Sequence, residues 1–271
     1  MYKRQICNGQ SATLTASGGT TYAWSNSGGS NAQATFSPTT NTTYTVTVTD
    51  GNNCTATATA TASVNQLPTA AIQPATVTIC NGQSATLTAS GGTAYAWSNS
   101  GGSNAQATFS PATNTTYTVT VTDGNNCSAT ASKLVTVNAV PTATVTPSST
   151  AICEGSSAAL TAGGGTAYAW SNSGGSNAAA TFSPTLTTTY TVTVTNANNC
   201  SATASSTITV NPIPAAAING PTTICSGLSA TLTASGGGTY AWANGLGSNA
   251  AITVTPTNTT IYTVTVTGAG N

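Results

Sequence analysis

The side chains in this sequence that could carry covalent chemistry are its seven cysteines, which recur at regular intervals. They are Cys7, Cys54, Cys80, Cys127, Cys153, Cys200 and Cys225. The first six form three successive pairs, in each of which the two cysteines are 47 residues apart. Regularly placed cysteines form disulfides in an oxidising compartment or hold a metal ion. Because the chain has no histidine and no CxxC motif, the pattern favours disulfides and therefore an extracellular or cell-surface location.

Side chains that could handle protons are almost absent. The charged residues are Lys3, Arg4, Lys133, Asp50, Asp123 and Glu154. Hydrolytic and transfer enzymes place such groups together in pairs or triads, and a calcium site needs clustered carboxylates. Asp50 and Asp123 each stand alone in a "DGNN" segment that is typical of a turn. We therefore predict a protein that is not an enzyme and has no catalytic residue, no cofactor and no metal site.

The same composition argues against two classes of partner. The net charge is 0 and Lys and Arg form no long run, so the chain lacks the basic surface that binds nucleic acid. No apolar run approaches the roughly 18 residues of a membrane-spanning helix. The partners we expect are flanking domains of the same parent chain, with a cell-surface glycan or protein as a further candidate.

An internal repeat organises the whole chain. Tryptophans recur at positions 24, 97, 170 and 242, in steps of 73, 73 and 72 residues, and the first cysteine of each repeat keeps the same steps. Residues 6–54 and 79–127 differ only at Thr21/Ala94 and Thr39/Ala112. Self-similarity at a fixed period indicates a tandem array. We predict four modules of one kind.

Within one repeat the apolar residues alternate with Thr and Ser, as expected of half-buried β-strands. The strand-like segments of the first repeat read "SATLTAS", "TYAWSN", "NAQATFSP", "TTYTVTVTD" and "CTATATATASV". About seven short strands in each repeat of roughly 73 residues, with one core Trp on the third strand and a Tyr at the start of the penultimate strand, describe an all-β immunoglobulin-like sandwich. The predicted core residues are Trp24, Trp97, Trp170, Trp242, Tyr44, Tyr117, Tyr190 and Tyr262.

The proline-containing seams divide the chain into modules. Module 1 spans residues 6–67 without its first (A) strand, module 2 spans 68–140, module 3 spans 141–213 and module 4 spans 214–271. Residues 1–5, "MYKRQ", read as translated adapter sequence or as a disordered tail. The chain stops one residue before position 272, where the second cysteine of module 4 would fall. We therefore expect a fragment whose last module is truncated, lacks its final (G) strand and leaves Cys225 unpaired.

Two pairings of the cysteines are open. Spacing suggests bonds within modules, namely Cys7–Cys54, Cys80–Cys127 and Cys153–Cys200. In an immunoglobulin-like sandwich, however, the first cysteine precedes strand B and the second follows strand F, which runs in the same direction. The two cysteines then lie at opposite poles, farther apart than the about 7 Å between Cα atoms that a disulfide spans. The topology favours bonds across the seams, Cys7–Cys127 and Cys80–Cys200.

The segment "ICNGQSATLTASGG", followed by "YAWS" and "SPTTNTTYTVTVTDGNNC", resembles the Ig-like and PKD-like repeats of large secreted bacterial surface proteins and adhesins, notably those of gliding, type IX-secreting bacteria. The resemblance covers residues 6–271 and implies an extracellular array. It specifies the module type and not the task, because such modules carry many different domains.

Two functions remain in view from the sequence. In the first, the modules form a non-catalytic spacer or stalk that presents other domains of the parent protein. In the second, the modules themselves bind a glycan or a partner surface. An exposed cluster of aromatic residues would favour the second function, but the loops "SNSGGSNA" and "SPTTN" contain none.

Overall fold

The protein is described by a computed structural model that covers residues 2–268, with side chains from residue 4 onward. Met1 of the expected tail and residues 269–271 of module 4 lie outside the described residues. The chain divides into two compact units, residues 1–139 and 140–271. The first unit holds modules 1 and 2, and the second holds modules 3 and 4.

Strands account for almost all regular structure in residues 2–268. Module 1 contains β1 (Tyr2–Cys7), β2 (Ala12–Thr15), β3 (Thr21–Trp24), β4 (Gln33–Phe36), β5 (Thr42–Thr49) and β6 (Thr55–Asn65). Module 2 contains β7 (Ala71–Gln73), β8 (Val77–Cys80), β9 (Ala85–Ser90), β10 (Ala94–Trp97), β11 (Gln106–Phe109), β12 (Thr115–Thr122) and β13 (Ser128–Asn138). Module 3 contains β14 (Thr144–Thr146), β15 (Ser149–Cys153), β16 (Ala158–Gly163), β17 (Ala167–Trp170), β18 (Ala179–Phe182), β19 (Thr188–Thr195) and β20 (Ser201–Asn211). Module 4 contains β21 (Ala217–Asn219), β22 (Ala230–Ser235), β23 (Thr239–Trp242), a 3₁₀ turn (Ala243–Gly245), β24 (Ala251–Val254) and β25 (Val264–Thr267).

Each complete module is a sandwich of a three-stranded and a four-stranded sheet. In module 2 the strand orders are β7-β9-β11 and β8-β13-β12-β10, and module 3 repeats both orders. The first strand is split, because β7 pairs antiparallel with β9 in one sheet while β8 pairs parallel with β13 in the other. This is a tandem immunoglobulin-like arrangement, as the sequence predicts. In chain order we call the equivalent strands A, A′, B, C, E, F and G.

The core of each module lies between the two sheets and consists of the alternate residues of each strand that point inward. In β12, Tyr117, Val119 and Val121 point inward and are buried, and the threonines between them lie on the outer face. Thr suits this outer face because its branched Cβ favours extended backbone while its hydroxyl meets water. Trp97 packs edge-on against Phe109, and Phe109 stacks on Tyr117 with a centroid distance of 3.8 Å. The same aromatic triplet recurs in modules 1 and 3.

The two outer modules have fewer strands in the described residues. Module 1 has no A strand there, and residues 2–5, which we assigned to a tail, form the first part of β1, the A′ strand, paired in parallel with β6. Module 4 has neither an A′ nor a G strand within residues 214–268. Burial of the predicted core residues is lower at one position in each outer module. Trp24 in module 1 and Tyr262 in module 4 are half-buried, whereas the other three tryptophans and three tyrosines are buried.

Candidate functional site at the module seam

A disulfide joins the first two modules. Cys7 ends β1 in module 1, where it lies beside Asn65 at the end of β6. Cys127 lies at the turn between strands F and G of module 2. The two Cα atoms are 5.5 Å apart, although the residues are separated by 120 positions in the sequence. We call the junction formed by Cys7, residues 65–70, Gly91 and residues 123–127 the first seam.

The structure thereby brings together two of the sequence-predicted cysteines across a seam. Because Cys7 and Cys127 bond to each other, the structure contains neither Cys7–Cys54 nor Cys80–Cys127. Cys80 and Cys200 also take part in disulfide bonding. Cys54 and Cys225 are exposed thiols. The direction of the strands explains why Cys7 and Cys54 do not pair. In module 1 strands B and F run in the same direction, so Cys7, before strand B, and Cys54, after strand F, lie at opposite ends of the module.

The turn that presents Cys127 is built around one carboxylate. An Asp123 side-chain oxygen (Oδ1) accepts hydrogen bonds from the backbone N–H groups of Asn125 and Cys127, both at 2.9 Å. Asp50 makes the same two bonds in module 1, and the amide oxygen of Asn196 makes them in module 3. A side-chain oxygen that accepts from the backbone two residues ahead stabilises a turn. The aspartates of this chain therefore shape the turn that carries a cysteine.

Substitution tests this role of the carboxylate. We expect Asp123→Ala to lower the free energy of unfolding of module 2 by about 1 kcal/mol for each hydrogen bond that is lost. Asp123→Asn should change it by less than about 0.5 kcal/mol, because Asn196 makes equivalent bonds at 3.0 and 3.1 Å. Urea denaturation of both variants measures the difference. Equal losses in the two variants would show that charge, and not the acceptor oxygen, matters at this turn.

The linker at the first seam lies directly against a glycine of module 2. Gly91 begins the turn between strands B and C with φ at +107°, and a Cβ atom at this position would overlap the carbonyl oxygen of Thr69 in the linker. Gly18 occupies the same place in module 1 with φ at +100°, but a Cβ there would meet nothing within 4 Å. The absence of a side chain at Gly91 thus permits close packing of the module against its linker.

These two glycines form a matched pair for mutation. Gly18→Ala should destabilise module 1 by about 1–2 kcal/mol, the cost of a left-handed conformation for a residue with a Cβ. Gly91→Ala should destabilise module 2 by clearly more, because it adds a backbone overlap to the same conformational cost. Urea denaturation and proteolysis of the linker measure both effects. If the two variants lose equal stability, the linker contact contributes nothing.

Three of the four tryptophans do not form an exposed binding platform. Trp97, Trp170 and Trp242 are buried, whereas Trp24 is half-buried. The indole N–H of each of the four tryptophans donates to a backbone carbonyl of the following loop, at 2.9–3.0 Å: the acceptors are Asn31, Asn104, Asn177 and Asn249. Since the ring and the polar edge of the three buried tryptophans are used internally, sugar stacking on their rings would require the module to open.

The described residues contain neither a cluster of metal ligands nor a membrane-spanning helix. Within residues 2–268 no group of three or more His, Cys, Asp or Glu side chains lies close enough to hold a metal ion. No helix in the same range is long and apolar enough to cross a membrane. Among the described residues, the candidate site is the cross-linked first seam.

Comparison with solved structures finds tandem immunoglobulin domains among the chains that match. Three immunoglobulin domains of titin, in an E-to-A mutated variant, share 14% identity with a TM-score of 0.37, over 78% of this chain and 95% of that chain. The N-terminal eight Ig domains of Down Syndrome Cell Adhesion Molecule share 16% identity with a TM-score of 0.30, over 89% and 44% respectively. Three N-terminal domains of the Highly Immunogenic Outer Capsid protein of bacteriophage RB49 share 16% identity with a TM-score of 0.34, over 77% and 96%. No protein-family model and no curated protein matches the chain.

Proposed function

We propose that this chain is a non-catalytic, extracellular spacer in which disulfides connect neighbouring modules and carry tension. The observation that carries the proposal is the Cys7–Cys127 bond, which links the A′ strand of one module to the F–G turn of the next. A disulfide inside a module would limit the unfolding of that module alone. A disulfide between modules creates a covalent path along the array that does not pass through either core.

The position of the bond determines which residues would bear load. A pull on the two ends of the first unit passes through β1, the disulfide and β13, because Cys7 ends β1 and Cys127 precedes β13. Residues 8–126 lie outside this path. At about 3.4 Å per extended residue, roughly 400 Å of chain would be withheld from extension even after the cores unfold. Such an array lengthens little under tension.

We further propose that the bond is repeated along the array, with Cys80 joined to Cys200. The repeat supports this pairing, because Cys80 and Cys200 occupy the same positions in modules 2 and 3 as Cys7 and Cys127 do in modules 1 and 2. The F–G turn that carries Cys200 has the same side-chain hydrogen bonds as the turn that carries Cys127. The seams between modules 1 and 2 and between modules 2 and 3 would then be closed by the same chemical bond.

Non-reducing peptide mapping tests both pairings. Trypsin has only Lys3, Arg4 and Lys133 as sites, so a protease that cleaves after aromatic residues is needed. We expect one linked peptide that contains Cys7 and Cys127 and another that contains Cys80 and Cys200. A peptide that joins Cys7 to Cys54, or Cys80 to Cys127, would overturn the proposal.

The cellular setting forms part of the proposal. We infer an oxidising compartment, because cross-linked arrays of small sandwiches are stable where thiols are not kept reduced. We also propose that the array belongs with the Ig-like and PKD-like repeats of large secreted bacterial surface proteins, on the sequence resemblance given above. Its partners would be the flanking domains of its parent chain.

Direct adhesion by the modules makes a different experimental prediction. Spacer modules should show no saturable binding on a glycan array or to whole cells, whereas adhesive modules should bind and lose binding on loop substitution. The chain in its oxidised form is the protein to test, with a reduced sample as the control for folding. Specific binding that a substitution in "SNSGGSNA" abolishes would contradict the spacer function.

A further inference from the structure

Two surface turns of this chain repeat the sequence Cys–Asn–Gly–Gln. They are residues 7–10 of module 1 and residues 80–83 of module 2. In each turn the backbone N–H of the glutamine donates to the carbonyl of the cysteine, at 2.9 and 3.0 Å, and the glycine has a φ of +88°. Each turn begins at a disulfide-bonded cysteine, Cys7 or Cys80. The proposed spacer function gives the asparagines of these turns no task.

The asparagine and the glycine of such a turn can react with each other. The backbone nitrogen of the glycine attacks the side-chain amide carbon of the asparagine, and a succinimide ring closes. The side-chain nitrogen leaves as ammonia and takes the proton of the glycine N–H with it. Water then opens the ring at one of its two carbonyl groups, which yields aspartate or isoaspartate. A neutral amide is thereby converted into a carboxylate without any reactant other than water, and asparagine is for this reason a thermolabile residue.

The structure leaves the attacking nitrogen available in both turns. Gly9 and Gly82 are exposed, and within the described part of the chain the N–H of neither residue donates a hydrogen bond. A Cβ atom at either glycine would meet nothing within 4 Å, so there is room for the ring. Short surface turns also open locally at a lower free energy than paired strands. Both turns therefore permit the reaction while the modules stay folded.

The same dipeptide occurs elsewhere in a crowded position. Asn219 is the last residue of β21 and lies opposite Thr233 of β22. A Cβ atom at Gly220 would come within 2.7 Å of the Leu232 side chain and within 2.8 Å of the carbonyl oxygen of Thr231. Ring closure at Asn219 would have to disturb the pairing of these strands. Asn219 thus provides a matched comparison for the two turns.

Module 3 shows that the turn accepts a carboxylate. Glu154 stands where modules 1 and 2 have Asn8 and Asn81, and it is exposed. Its backbone N–H donates to the last residue of strand G at 2.9 Å, as the N–H groups of Asn8 and Asn81 do in their own modules at 2.8 Å. An aspartate formed at Asn8 or Asn81 would therefore fit the turn as it stands.

We propose that Asn8 and Asn81 are modification sites at which the folded chain deamidates spontaneously. Each reaction would add one negative charge directly after a disulfide-bonded cysteine, so the net charge of the chain would change from 0 to −2. At the first seam the new carboxylate would join that of Asp123, which accepts a hydrogen bond from the N–H of Cys127. The array would thus acquire charge beside its cross-links with age. This inference goes beyond the spacer function, because a spacer need not change its charge.

Mass spectrometry of the full oxidised chain tests the proposal. The folded chain is incubated at neutral pH in water labelled with heavy oxygen, then reduced, digested after its aromatic residues and fragmented to locate the label. Each rate is divided by the rate of the same site in the chain unfolded in urea, which removes differences in local sequence. We expect label at Asn8 and Asn81, with ratios at least about tenfold greater than that of Asn219.

A variant with Asn8→Gln and Asn81→Gln is the control for the charge. It should lose the two acidic species that form fastest in the parent chain on ion exchange. Absence of label at either turn in the folded chain, or a ratio for Asn219 equal to those of the turns, would overturn the proposal. Neither result depends on which cysteines pair, so the deamidation and the spacer function can fail separately.

Discussion

Replacing Cys7 and Cys127 together with serine is expected to cause the largest loss of stability in this chain. The bond closes a loop of 120 residues, and the entropy model of cross-linking gives about 4–5 kcal/mol for a loop of this length. The effect arises because the bond restricts the unfolded state of modules 1 and 2. Urea denaturation of the oxidised chain and the double variant measures the difference.

Cys54→Ser is the matched control for this experiment. Cys54 lies in the same "DGNNC" turn as Cys127 does, but its thiol is exposed and free. We therefore expect a change of less than about 0.5 kcal/mol. A large loss on Cys54→Ser would indicate a Cys7–Cys54 bond in solution and would contradict the seam.

Removing the indole of Trp97 is the second large expected effect. Trp97 is buried, packs edge-on against Phe109 at 5.8 Å and donates its N–H to the carbonyl of Asn104. We expect Trp97→Ala to lower the free energy of unfolding of module 2 by about 3–5 kcal/mol, the usual range for truncation of a core aromatic residue. Urea denaturation followed by circular dichroism measures the loss without depending on the indole as a probe.

Trp24 provides an internal comparison, because residues 6–54 and 79–127 differ at two positions only. In module 1 no A strand lies beside β2 within the described residues, and Trp24 lines an open cavity of about 600 Å³. In module 2 the A strand contributes Ile72 to the core around Trp97. Trp24→Ala should therefore cost clearly less than Trp97→Ala. Equal costs would mean that the A strand adds nothing to the environment of the tryptophan.

Much of the fold could be predicted because the alternation of apolar and polar side chains indicates which residues of each strand face the core. The alternation of Tyr44, Val46 and Val48 with threonine predicts both the F strand and its inward face, and β5 occupies residues 42–49. The "DGNN" segment similarly predicts the turn before β6. These elements depend on local alternation and turn chemistry, which a single repeat contains in full.

Other features depend on contacts that no local pattern contains. The split of the first strand into β7 and β8 was not predicted. The alternating segment "VTIC", which ends at Cys80, was a signal for β8. The half-burial of Trp24 could not be read from its own repeat, since residues 6–54 are nearly identical to those around buried Trp97. The difference comes from a neighbouring strand. A residue's burial in such an array is therefore a property of the covering strand as much as of its own segment.

Single-molecule force extension tests the proposed role of the seam most directly. The measurement pulls the oxidised chain by its two ends, in a background of Cys80→Ser and Cys200→Ser, so that only the Cys7–Cys127 bond differs from a variant that also lacks Cys7 and Cys127. We predict that the variant reaches a fully extended length roughly 400 Å greater than that of the bonded chain, because residues 8–126 extend only when the bond is absent. Equal extended lengths in the two proteins would show that residues 8–126 bear load in the oxidised chain and would contradict a spacer held by disulfides between modules.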